Sequence, residues 1–114
     1  MLWTLADPRP DGVLAVEYPY FETAGGTRFV DAETYVDHEG PLSHPDTIEF
    51  NHGMGEIITA LLRVGMELIS FEEHDSVLWA ALGDQMVRDD RGELRLRDRP
   101  ERLAASYTLQ AIRH

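Results

Sequence analysis

A helix that stops on a glycine and feeds straight into a strand restricts this chain to folds that mix the two elements. Between Thr47 and Trp79, the residues Met54, Ile57, Ile58, Leu61 and Leu62 recur at i, i+3, i+4, i+7 and i+8, the spacing of one helix face. Gly65 follows as the stop, a residue that takes a left-handed conformation without a Cβ penalty. Met66 to Glu73 then alternates as a strand, with Ile69 and Phe71 on one face and Leu68 and Ser70 on the other. Helix, glycine and strand together are half of a crossover unit, so the expected class is α/β with a mixed sheet. A polar corner stands at each end of the stretch: Asn51-His52 and His74-Asp75.

Length and charge narrow the rest. The chain has 114 residues, enough for one domain (1–114) with a modest core. It has no cysteine, which excludes disulfides, thiolate nucleophiles and cysteine zinc sites. A formal net charge of -11 repels a nucleic-acid backbone and anionic membrane surfaces alike, so neither is expected as a partner. The apolar runs are shorter than a membrane span and the N-terminus lacks a basic leader, which makes the cytoplasm the default location.

In chain order, Asp7-Pro8-Arg9-Pro10-Asp11-Gly12 is a turn, and Val13 to Val16, apolar on both parities, reads as an interior, parallel strand. Pro19 cannot donate to a ladder, so pairing should end near Tyr18 and leave Tyr20 and Phe21 at the strand's rim. Arg28-Phe29-Val30 reads as a short strand of a hairpin or flap. Asp31 to Asp46, with His38 and His44, is an acidic excursion. Asp75 to Leu82 reads as a loop or helical turn capped by Ser76, with Trp79 buried. Gln85 to Arg88 and Glu93 to Leu96 form a hairpin around Gly92, and a last strand places Leu103, Ala105, Tyr107, Leu109 and Ala111 on one face.

Familiar catalytic signatures are missing: there is no G-x-G-x-x-G after a strand, no Walker loop, no H-E-x-x-H and no G-x-S-x-G. The spacings of His38, His44, His52 and His74 match no metal motif, and no metal is expected. Gly53-Met54-Gly55-Glu56 opens the helix and favours close backbone packing there over an anion site. Asn51-His52 admits two readings: a cap and a packed imidazole, or a polar ligand contact and a proton shuttle.

Three segments read together, V-E-Y-P-Y-F-E, E-F-N-H-G-M-G-E-I-I-T-A-L-L-R-V-G-M-E-L and F-E-E-H-D-S-V-L-W, resemble S-adenosylmethionine-dependent methyltransferases of the Rossmann-like class I type. The resemblance covers only the C-terminal half of that family's domain. It implies that Gly12 to Tyr20 is the fifth strand, that the helix at Met54 to Val64 precedes the sixth, and that the last, antiparallel strand inserts between them. The family's glycine-rich cofactor loop has no counterpart here. S-adenosylmethionine is therefore expected only where a missing half is supplied, and the chain alone is expected to be inactive. The resemblance assigns proton handling to His52 and His74 and a substrate wall to Tyr20, Phe21 and Asn51, with a small molecule as acceptor. An edge left open from Val13 to Tyr18 would favour a homo-oligomer. The alternative is an oligomeric α+β module that binds a small ligand without catalysis.

Overall fold

The computed structural model describes residues 4–30 and 46–114. His38, His44 and the acidic excursion up to residue 45 lie outside them. The described residues form one α-helix, two short 3-10 turns (Gly83–Gln85 and Pro100–Arg102) and three separate antiparallel sheets, and no two of their strands run parallel. Among them, no helix is long and apolar enough to cross a membrane.

The helix, α1 (Met54–Arg63), begins without a side-chain cap at Gly53. The amides of Glu56 and Ile57 turn back to the Gly53 carbonyl, and the Met54 amide donates to the Tyr20 phenol oxygen at 2.8 Å. Tyr20 thus does what a capping side chain does, from 34 residues away. Asn51, one candidate for the cap, instead donates its amide to the carbonyls of Pro19 and Tyr20, both at 3.1 Å. At the other end Gly65 takes φ 78°, and its amide closes on Leu62, as the sequence predicts.

Strand β3 (Met66–His74) pairs antiparallel with the last strand, here β7 (Ser106–Arg113). The register slips between Leu68, opposite Ala111, and Ser70, opposite Gln110, so Ile69 is the extra residue of a β-bulge. Simple alternation separates Leu68 from Phe71. The bulge reunites them, since Leu68, Phe71 and Glu73 oppose Ala111, Leu109 and Tyr107, which share one face of β7. The rings of Phe71 and Tyr107 meet at 5.7 Å. Ile69, expected beside Phe71, is left 46% exposed.

The buried core lies elsewhere, around a three-stranded sheet. Its strands β4 (Ser76–Val77), β6 (Leu94–Leu96) and β5 (Met86–Arg88) are ordered with β6 in the centre. Val77, Leu82, Met86, Leu94 and Leu96 cluster there with Ala6 and Ala105, and Leu14 and Leu103 pack against them. Arg95, in the central strand, is ion-paired with Asp75, Asp89 and Glu93. The β5–β6 hairpin expected from sequence is present, with Gly92 at φ 85° in its loop. Ser76, by contrast, is a buried strand residue rather than a cap, and Trp79 remains partly exposed; a two-residue strand and its bends occupy the expected loop or helical turn.

The interior strand expected at Val13 to Val16 does not form. The segment is a strap without ladder pairing, tied down by the amides of Glu17 and Tyr18 donating to the Leu5 carbonyl. The Gln85 side chain holds the turn before it, donating to the Gly12 carbonyl and accepting from the Arg9 amide. Val16 is 72% exposed, so apolar composition on both parities marks a strap here and not a buried strand. After it, β1 (Thr27–Val30) pairs antiparallel with β2 (Asp46–Glu49), which confirms the short strand at Arg28 to Val30.

Candidate functional site

The strap and the start of α1 meet at one corner, where most of the residues singled out in the sequence converge. Tyr20 lies over Gly53 so closely that a Cβ added at Gly53 would sit 3.1 Å from the ring's Cε1 and 3.6 Å from Phe21 Cδ1. This approach, and not the backbone, favours glycine here, since its φ of -65° and ψ of 149° are open to any residue. Phe21 stands edge-on to Tyr20 at 5.1 Å and is otherwise exposed to solvent. Asn51 fixes the carbonyls of Pro19 and Tyr20.

Beneath this corner lies a cavity of about 230 Å³ bounded by Tyr20, Asn51, His52, Met54, Ile57 and Tyr107 among others. His52 Nδ1 lies 3.2 Å from Glu22 Oε2. The contact sets a carboxylate beside an imidazole, both about half exposed, and an imidazole nitrogen is a group that can accept or deliver a proton. Glu56, in the first turn of α1, completes a group with Glu22 and His52 whose ligand atoms lie within 4.8 Å of one another. That spacing would admit a divalent ion, but all three side chains are exposed and the helix's positive end faces the same corner.

Four of the five expected site residues, Tyr20, Phe21, Asn51 and His52, therefore share this corner. His74 does not. It hydrogen-bonds Thr108 Oγ1 at 2.9 Å, and both residues belong to the face of the β3–β7 pair opposite to Tyr107. The cavity with His52 lies on the Tyr107 side. Glu22 and Glu56 were not anticipated. The signal in the sequence was slight: Glu22 shares parity with Tyr20, and Glu56 falls four residues after His52, but nothing in either spacing announces that strap and helix meet.

No family model, curated protein or solved structure matches the chain.

Proposed function

We propose that this chain is the substrate-side half of a Rossmann-like class I methyltransferase fold, acting on a small-molecule acceptor in the cytoplasm and inactive by itself. The observation that carries the reading is the order α1, Gly65, β3, excursion, β7, with β7 antiparallel against β3 and α1 leading into β3. The resemblance in the sequence implies that same succession for the sixth and seventh strands. S-adenosylmethionine, when bound, supplies an electrophilic methyl group. The residues here suit the acceptor better than the cofactor: a small cavity with one imidazole beside a carboxylate and an aromatic rim, without a glycine-rich loop between strand and helix. In this reading Tyr20, Phe21 and Asn51 position the acceptor, and His52, beside Glu22, takes its proton.

One observation favours the second reading, a ligand-binding α+β module without catalysis. The Gly12 to Tyr20 segment, which the family places as a strand beside β7, is bonded to Leu5 instead, and every described strand pair is antiparallel. Calorimetry separates the two. A substrate-side half gives no binding heat with S-adenosylmethionine or S-adenosylhomocysteine, and micromolar binding of either overturns it. Heat from another metabolite alone favours the binding module.

A further inference from the structure

A second cavity, of about 430 Å³, shares Thr4, Phe50 and Asn51 with the first, and the charges in its lining are of one sign. Tyr18, Phe29, Phe50 and Trp79 contribute four aromatic rings, and Asp7 and Glu49 two carboxylates. Among the described residues, no lysine, arginine or histidine lines it. The walls come from separate parts of the chain: Asp7 from the turn before the strap, Tyr18 from the strap's end, Phe29 from β1, Glu49 from β2, and Trp79 from the bend after β4. The volume lies within the range of about 300 to 1,000 Å³ that small-molecule sites occupy.

Two details make this more than a greasy depression. Tyr18 and Phe29, both in the cavity's lining, meet at 5.2 Å with their planes inclined by 59° and form an aromatic corner. The Tyr18 hydroxyl donates to Asp7, which fixes the ring and sets a carboxylate at the corner's edge. The phenol is pushed up to about 12, first by that hydrogen bond, then by burial and by the charges of Asp7 and Glu17. The surroundings therefore disfavour a further negative charge.

We propose that this cavity binds a small organic ammonium ion, its charge against the aromatic faces and balanced by Asp7 and Glu49. Ring faces carry negative quadrupole density and attract a cation within about 6 Å, more so where water is partly excluded. A bare metal ion fits less well, because a hard cation is bound through oxygens and gains little from walls built of four aromatic rings. An anionic ligand would meet two like charges. The overall charge of -11 adds a long-range pull of the same sign. The site stands whether or not the neighbouring corner handles methyl transfer.

The test compares two probes of nearly equal shape on the full chain: choline and its uncharged isostere 3,3-dimethylbutan-1-ol. Titration calorimetry at matched ionic strength is expected to show choline binding at least about tenfold more tightly, because the isostere lacks the cation–π and ionic terms. Glu49→Gln is expected to weaken choline by roughly tenfold and to leave the isostere unchanged. Amide shifts on addition of choline should centre on Tyr18, Phe29 and Trp79, with Phe21 outside the cavity as the control position. Equal affinity for the two probes overturns the proposal, as does an absence of binding or a shift pattern centred elsewhere. The probe comparison needs no variant, so a misfolded mutant cannot obscure the result.

Discussion

At the scale of single residues, two contacts tie the strap to the rest of the molecule through tyrosine hydroxyls. The first is Tyr18 donating to Asp7. Because that bond needs the protonated phenol, its contribution to stability is complete below the ordinary tyrosine pKa of about 10 and is lost as pH rises through about 12. An absorbance titration should show the Tyr18 phenol ionising late, near 12, and Asp7→Asn should move that step back toward 10. The second contact is the Tyr20 oxygen on the Met54 amide. Gly53→Ala would push a methyl group against Tyr20 Cε1 and draw the phenol off that amide, at a cost of about 1 kcal/mol by urea unfolding. The same substitution made together with Tyr20→Ala should cost close to nothing, since the steric term exists only while the ring is present. If Gly53→Ala is equally costly in both backgrounds, the glycine is needed for some reason other than this ring.

Among the elements, the bulge at Ile69 decides which side chains β3 offers to its partner. Ile69 is about half exposed, whereas Phe71 packs on Tyr107, so hydrophobicity alone ranks them wrongly. Ile69→Thr should change stability by no more than about 0.5 kcal/mol, while Phe71→Ala should cost roughly 1 to 3 kcal/mol, read from denaturant midpoints. Equal effects would mean that the two residues share a face and that no bulge forms. The same comparison shows what a sequence can and cannot reveal. Periodicity gave α1, its Gly65 stop, β3, the β5–β6 hairpin and the apolar face of β7, because each depends on neighbours within a few residues. The bulge was hidden, because one extra residue is defined only against the opposite strand. The strap at Val13 to Val16 is hidden for a related reason: apolar residues on both parities look buried until the absence of ladder partners is known. At the site, Asn51, His52 and Tyr20 were legible as polar or aromatic residues at element ends. Their long-range partners Glu22 and Pro19, and the placement of His74 on the other face, depend on tertiary contacts that no local spacing encodes.

For the whole molecule the decisive property is how little is buried. The Cα radius of gyration is 16.5 Å, against about 13 Å for a compact domain of some 100 residues. Among the described residues, the core cluster contains seven buried apolar side chains, and only Leu82 is among the large ones fully enclosed. Val13, Val16, Val30, Ile48 and Ile112 are all exposed, and the outer edges of β3 and β7 carry no further strand among the described residues. Surfaces of this kind gain free energy by covering one another. Opposing that gain is the net charge of -11, which makes two copies repel over about 10 Å at 0.1 M salt and over shorter distances as salt rises. Association of the chain with itself should therefore strengthen with ionic strength, the reverse of what an ion-paired interface would show. Multi-angle light scattering across a sodium chloride series should show the average mass rising above that of the 12.9 kDa chain, and Val13→Lys with Val16→Lys should suppress the rise. The lysines remove apolar surface from the strap, but they also lower the net charge from -11 to -9 and so weaken the repulsion slightly. Suppression by the pair would thus locate the contact at the strap against an electrostatic change of the opposite sign. A mass that stays monomeric at every salt concentration would show that this chain tolerates its open surface alone.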